Sequence, residues 1–322
     1  MKNQLIISKL TSLYNQYRQS NDPTISQFKS RVINNLIKII KSHGTDIKDG
    51  KELKGVKGVG KGSIDRINEI LKTSTLKELN STCKYDVINE LEKITGIGKV
   101  KAKSLVINNG VKSIDDLRDK LEQGDVVLTH HILVGLKYYE DINKKIPRKE
   151  MDMIDKYIHA LINANFDNLI YTVCGSYRRG LSSSGDIDIL ISDPNYKTGI
   201  HKQKYLEKLI TILQENKFII DSLTTNGSTK YMGICKLPRR KTARRIDIRC
   251  LNYNSYYTGL LYFTGSRQLN INMRNKALEN GYKLNEYSVY NTKKKQEIYP
   301  KSEEEIFDLC GLDYLKPGER DL

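Results

Sequence analysis

The chain has 322 residues, with 54 Lys+Arg against 38 Asp+Glu and a formal net charge of +16. A hydrophobic fraction of 38% is enough for packed cores, which excludes general disorder, and no apolar run is long enough to span a membrane. Five scattered cysteines without a CxxC pair, and five histidines away from zinc-ligand spacing, exclude a disulfide framework and structural zinc and leave a reducing intracellular setting as the expectation.

The length allows one large domain or two to three small ones. The positive surplus asks for a polyanionic partner, nucleic acid first, with a merely basic soluble protein as the rival reading. The opening MKNQLIISKLTSLYNQ has no apolar core or cleavage site of a secretory signal. Residues 1–80 hold 15 Lys+Arg against 7 Asp+Glu, so half of the net charge sits in a quarter of the chain. Ile25, Phe28, Val32, Leu36 and Ile39 recur at helical steps, and Asp22-Pro23 supplies a cap and an N1 proline for that helix.

A short pattern then occurs twice. Leu53-Lys54-Gly55-Val56-Lys57-Gly58-Val59-Gly60 is followed by KGSIDRINEIL, and Ile94-Thr95-Gly96-Ile97-Gly98 by KVKAKSLVINNG. Each reads as a Gly-hydrophobic-Gly turn between helices, where glycine permits tight turning and close backbone approach. The following helix points unpaired N-terminal amides outward, and Lys61 in one copy and Lys99, Lys101 and Lys103 in the other add charge. One such turn alone is a helix cap. Two with basic followers predict a helix-hairpin-helix pair on a DNA backbone, a contact that carries no base sequence.

Residues 141–150, DINKKIPRKE, read as a polar joint. Beyond it Ile154, Ile158, Leu161 and Ile162 form a helical stripe, KYLEKLITILQE an amphipathic helix, and LIYTVCGS, DIDILIS and RRIDIRCL alternate as strands. The second half is therefore mixed α and β, with boundaries expected near residues 81, 147 and 254.

A strand's period of two puts Asp186 and Asp188 on one face, with Ile187 and Ile189 turned into a core. The same logic turns Asp247 outward with Arg245 and Arg249. Repelling carboxylates with no basic neighbour on their face invite divalent cations, and oxygen donors suit magnesium. A third aspartate would complete a two-metal site. Taken alone, two aspartates on a strand are an ordinary solvent edge. Upstream, however, Gly175-Ser176-Tyr177-Arg178-Arg179-Gly180 and Ser183-Ser184-Gly185 offer small donors beside guanidiniums, a cradle for phosphates. A cradle leading into such a pair is the arrangement of a nucleotidyltransferase.

The segments CGSYRRGLSSSGDIDIL, RRIDIR, YYTGLLYFTGS and NMRNKALENGYKLNEY resemble those of the family X DNA polymerases, of the polymerase beta type. The resemblance runs from about residue 25 to the end and includes both hairpins. It implies an α+β protein. A helical, lyase-like DNA-binding domain with the first hairpin spans 1–81, and a helical subdomain with the second hairpin spans 82–147. A nucleotidyltransferase-type palm with a mixed sheet spans 148–253, and a small α+β fingers subdomain that selects the nucleotide spans 254–322. Asp186, Asp188 and Asp247 resemble the metal-binding triad for two Mg2+ or Mn2+, with Asp247 nearest the primer 3′-hydroxyl and Arg245 orienting it. Arg148, Gly175, Ser176, Arg179, Ser184 and Gly185 resemble the triphosphate contacts. Tyr262, Phe263 and Gly265 resemble the sugar pocket that excludes a ribose 2′-hydroxyl, though a Tyr-Phe pair alone is as readily core. Asn270 resembles the minor-groove contact to the incoming base and Arg274 the template-side contact. Arg249, Glu286 and Tyr287 match residues that re-pair on closing. Lys29, Gly58, Gly60, Lys61, Gly96, Gly98 and Lys99 fall at DNA contacts, and the carbonyls of Lys54, Val56, Val59, Glu92, Ile94 and Ile97 at positions that hold Na+ or K+.

The chain departs from the pattern at five positions. Arg267 stands where an aspartate lies over the incoming base, and Ile271 where a lysine meets the template base. Arg66 occupies the position of the lyase lysine, with Gly62 and Ile33 in place of its supporting lysine and tyrosine. Arginine stays protonated and cannot form a Schiff base, which leaves Lys61 or Lys57 as substitutes. The run Lys236–Arg245, six cations in ten residues, reads as a DNA contact, a solvated loop or a nuclear-import patch. The resemblance thus implies a template-directed, gap-filling repair polymerase, a monomer acting on gapped or nicked duplex DNA and dNTPs beside a repair ligase or nuclease. It would sit in the nucleus of a cell, or in cytoplasm or virion for a virus. A template-independent terminal transferase and a non-catalytic DNA-end-binding protein are the rivals.

Overall fold

The structure is a computed structural model that describes residues 3–18, 24–79, 82–198, 204–224 and 227–321. The chain divides into two compact units, residues 1–93 with 97–127, and residues 94–96 with 128–322.

The first unit is helical: α1 (Gln4–Arg18), α2 (Ser30–Ser42), α3 (Lys61–Thr73), α4 (Thr82–Leu91), α5 (Lys99–Ile107) and α6 (Ile114–Glu122). Leu10, Leu13, Leu36, Ile40, Leu53, Ile67 and Ile70 share one buried core. A π-helical turn, Thr24–Lys29, leads into α2. The buried face of α2 is Ile33, Leu36, Ile37 and Ile40, so the predicted stripe is out of phase. Phe28 is 66% exposed and Val32 lies at the surface. Asp22-Pro23 lies outside the described residues. Gly58 has φ +93° and Gly60 has φ −99°, ψ 179°. Gly96 has φ +93° and Gly98 has φ −92°, ψ 173°. The two sequence copies are therefore two copies of one backbone turn, each opening a helix at a lysine.

The second unit begins with α7 (His130–Lys137), α8 (Tyr139–Ile142), β1 (Ile146–Pro147) and α9 (Arg148–Asn165). The polar joint is thus structured: Glu150 lies in the first turn of α9 and pairs with Arg244, Nε to Oε1 2.8 Å. β2 (Ile170–Val173), α10 (Gly175–Arg178), β3 (Ser183–Ser184), β4 (Ile187–Ser192), α11 (Tyr205–Glu215), β5 (Ile219–Ser222), β6 (Lys230–Cys235) and β7 (Arg244–Cys250) follow. The main sheet has the order β2-β4-β7-β6-β5. Only the β4–β7 pair is parallel, so the sheet is mixed. Ile187, Ile189, Ile246 and Ile248 pack with Ile154, Ile158 and Ile162 of α9 and Leu206, Leu209 and Leu213 of α11. That two-residue and four-residue periodicity is what the sequence carries. Burial on β7 alternates strictly, and Arg244 falls on its buried side, so one cation of the basic run is a core ion pair.

α12 (Tyr256–Thr264), α13 (Arg267–Glu279), β8 (Tyr282–Leu284), β9 (Val289–Asn291), β10 (Gln296–Ile298) and α14 (Glu303–Leu309) complete the chain. The last three strands form an antiparallel sheet, and Leu261, Leu269, Met273, Ala277, Ile306 and Phe307 form a separate core. Cys174, Cys235, Cys250 and Cys310 are buried free thiols, and the side chain of Cys83 lies outside the described residues. Among the described residues no helix is long and apolar enough to cross a membrane.

Candidate active site

The parallel register of β4 and β7 sets Asp188 opposite Asp247, and Asp186 sits one residue before β4. One carboxylate oxygen from each of the three lies within 4.8 Å of the others. Burial, and then the Asp247 charge, push the Asp188 carboxyl up to about 7. Burial also raises Asp247, against the opposing pull of Arg245, Lys230 and Arg249. Asp247 Oδ1 is buried with no hydrogen-bond partner. Unpaired buried carboxylate oxygens are costly. Three converging carboxylates, one of which carries an orphaned oxygen, fit divalent cations such as magnesium.

The expectation of no basic neighbour needs correction. Arg245 Nη2 pairs with Asp186 Oδ2 and lies 3.8 Å from Asp247 Oδ2. The cause is register: Ile187 pairs with Ile246, which brings the residue before each into the same row.

Gly175 supplies the turn from β2 into the cradle with φ +58°, and a Cβ there would collide with Asp188 Oδ2. Only glycine brings the cradle this close to the carboxylates. Ser176 and Arg179 then line a cavity of about 700 Å³ that also contains Asp186, Asp188, Asp247, Lys230 and Arg249. Its other wall is Tyr262, Phe263 and Gly265 with Arg267, Asn270, Ile271 and Arg274, one face of α13 at helical spacing. Asn270 Nδ2 donates to Tyr262 O at 2.8 Å. The Arg274 guanidinium lies 5.4 Å from the Tyr262 ring centroid and 3.8 Å from Glu286 Oε2. Arg249 lies 5.6 Å from the Phe263 ring centroid.

Arg148, Ser184, Gly185, Glu286 and Tyr287 do not line this cavity. Arg148 Nη1 donates to Tyr177 O and Leu181 O at 3.1 and 3.3 Å, so it braces the cradle loop. Ser184 is buried where β3 pairs with β1. Tyr287 is exposed. In the helical unit, Lys29, Lys54, Lys61 and Lys99 are exposed. Arg66 is engaged: Nη2 lies 3.0 Å from Glu78 Oε1, and Tyr17 Oη donates to Glu78 Oε2 at 2.6 Å.

Sequence reasoning passed over Lys230, Glu303, Arg320 and Asp321. Lys230 carries no local signal, because β6 is recognisable only as the neighbour of β7. Glu303 accepts from both Arg178 and Arg320. Burial alone would raise its carboxyl, but these two hydrogen bonds hold it below the usual range.

Four families match in order along the chain: a helix-hairpin-helix domain over 1–76, the fingers domain of DNA polymerase lambda over 89–143, the DNA polymerase beta palm over 145–253 and the DNA polymerase beta thumb over 259–321. They use "thumb" for the C-terminal subdomain and "fingers" for the helices before the palm. DNA polymerase lambda of Rattus norvegicus is 31% identical over 98% of this chain and 56% of its own length. DNA polymerase lambda of Arabidopsis thaliana is 27% identical over 98% of this chain and 61% of its own. DNA nucleotidylexotransferase of Xenopus laevis is 28% identical over 88% of this chain and 62% of its own. The chain thus spans about three-fifths of the length of these relatives. With the hairpins, the mixed palm sheet and the aspartate triad all found in the order in which these families match, the chain belongs to family X of the DNA polymerases.

Proposed function

We propose that the chain is a template-directed DNA polymerase that fills short gaps in duplex DNA during repair, of the base-excision kind. The observation that carries this is the convergence of Asp186, Asp188 and Asp247 at a cavity walled by Arg179 and by one face of α13. The reaction joins the primer 3′-oxygen to the α-phosphorus of a dNTP and breaks the α–β phosphoanhydride, releasing pyrophosphate. Two Mg2+ or Mn2+ ions held by the triad would acidify the 3′-hydroxyl and neutralise the triphosphate. Asp247, made more basic by burial, accepts or orients the hydroxyl proton. Ser176 and Arg179 bind the triphosphate. The Tyr262–Gly265 backbone crowds a 2′-hydroxyl, Asn270 meets the base edge and Arg274 the template side. The hairpins grip backbone phosphates, with Na+ or K+ at the carbonyls of Lys54, Val56 and Val59 and of Glu92, Ile94 and Ile97. A monomer working in the nucleus with a repair ligase or nuclease fits this reading.

Primer extension on a one-nucleotide gap tests it. The template-matched dNMP should be added, rNTPs should be poor substrates, and Asp247→Ala should lose activity on the order of a hundredfold to a thousandfold. Gap filling that survives Asp247→Ala would remove the reading. The Xenopus relative's name favours one alternative, untemplated addition. Extension of a single-stranded primer without regard to template would select it.

Deoxyribose-phosphate lyase activity is not part of the proposal. A guanidinium cannot take the place of a Schiff-base amine, and that of Arg66 is held by Glu78. Borohydride should trap no adduct on an incised abasic site. An adduct that disappears in Lys61→Ala would instead assign the amine to Lys61.

A further inference from the structure

Arg178 and Arg179 are consecutive in the phosphate cradle, and each is gripped by an acid from the last twenty residues. Arg178 donates Nη1 and Nη2 to Glu303 at 3.0 and 2.7 Å, and Nη1 also to Thr264 Oγ1 at 2.7 Å. Glu303 in turn accepts Arg320 Nη1 at 2.6 Å. Arg320 is fully buried, donates Nε to Leu315 O at 2.9 Å, and lies 5.5 Å from the Phe307 ring centroid and 5.6 Å from that of Tyr314. So anchored, residue 320 delivers its neighbour Asp321 to Arg179. Arg179 Nε donates to Asp321 Oδ1 at 2.8 Å, and Arg179 Nη1 donates to Thr264 O at 2.6 Å.

A guanidinium is a rigid planar fork of five N–H donors. Nε–H and one Nη1–H are spent on Asp321 and Thr264, which fixes the plane. Arg179 lines the cavity that holds the triad, so the three N–H groups left over, one on Nη1 and two on Nη2, are what remains for an anion there. An arginine free to rotate would lose more conformational freedom on binding a phosphate than one already held.

We propose that Asp321 is a positioning residue for nucleotide binding, holding the Arg179 guanidinium so that its remaining N–H groups face the triphosphate. This rests on the reading of Arg179 as a triphosphate contact. The Arg178–Glu303–Arg320 chain is the anchor that sets residue 321 in place, and Asp321 acts through Arg179 without touching substrate. The rival geometry is competitive: the carboxylate would occupy the guanidinium until a nucleotide displaced it.

Steady-state kinetics of gap filling, and of pyrophosphorolysis in reverse, distinguish these. Asp321→Asn should raise KM for dNTP and for pyrophosphate together, by about fivefold to tenfold, with kcat within about twofold of wild type. Asp321→Glu should recover part of the loss. The thermal midpoint of Asp321→Asn should stay with the wild type, because the ion pair is part-exposed, with Asp321 at 37%. An unchanged KM overturns the proposal, and a lowered KM replaces it with competition. Arg179→Ala separates the two layers. If it raises KM while Asp321→Asn does not, only the positioning role fails. If Arg179→Ala leaves KM unchanged, the triphosphate reading itself fails.

Discussion

Burial of Asp188 takes a carboxylate out of water beside a second one, and its protonated form is favoured up to about pH 7 in the metal-free chain. The sign of the consequence follows from linkage. The folded-state value lies above the unfolded one, about 3.9. The stability tied to this proton is therefore fully present below pH ~4 and is lost as pH rises through about 7. Asp188→Asn keeps the neutral shape at every pH. In EDTA at pH 8 it should be more stable than wild type, on the order of 2–4 kcal/mol, with the difference shrinking toward pH 5. Magnesium should raise the wild-type midpoint and leave that of Asp188→Asn nearly unmoved, while gap filling is lost in the variant. Unfolding midpoints that run parallel across pH 5–8 would show that the site is not strained by its own charge.

At the scale of elements, the paired Gly-hydrophobic-Gly turns separate two uses of glycine. Gly58 and Gly96 have positive φ, a conformation that costs an L-residue roughly 1–2 kcal/mol. Gly60 and Gly98 have ordinary extended torsions, and a Cβ on either would meet nothing within 4 Å. The fold therefore does not require glycine at 60 and 98, whereas an approaching DNA backbone would. Gly60 is also the N-cap of α3 and has no side-chain cap, a position where serine is preferred. Gly60→Ser should hold or raise the thermal midpoint and yet weaken binding of gapped duplex severalfold. Unaltered affinity by fluorescence anisotropy would mean that this turn stays clear of the DNA. The same elements show what can be read along a chain. β7 was legible because alternation over seven residues is a local property, β4 because Asp186, Ile187, Asp188 and Ile189 alternate before the strand becomes buried on both faces, and the hairpins because they repeat. α2 was mis-phased because Val32, Ile33, Leu36, Ile37, Ile39 and Ile40 make two faces of nearly equal apolarity, and packing against α1 decides between them. The Arg244–Glu150, Arg245–Asp186 and Arg179–Asp321 pairs join residues 59 to 142 positions apart. Strand register and chain tracing create those pairs, so no spacing in the sequence announces them.

For the whole molecule, a net charge of +16 has two physical meanings. It can act as a diffuse field that concentrates the chain near any polyanion, or as discrete phosphate contacts that release counterions. Both make binding weaken with salt, but they differ in how single charges count. A lysine at a phosphate contact carries its own counterion, and its removal lowers the slope of log K against log salt by about 0.9. A lysine that only adds to the field changes the slope little. Lys61 opens α3 after the first hairpin, and Lys294 lies exposed between β9 and β10 in the C-terminal subdomain. Measured on gapped duplex between 50 and 200 mM salt, Lys61→Ala should reduce the slope by about one ion while Lys294→Ala leaves it near the wild-type value. Equal reductions from both substitutions would mean that the charge works at a distance, and that the hairpin turn is not where the backbone is held.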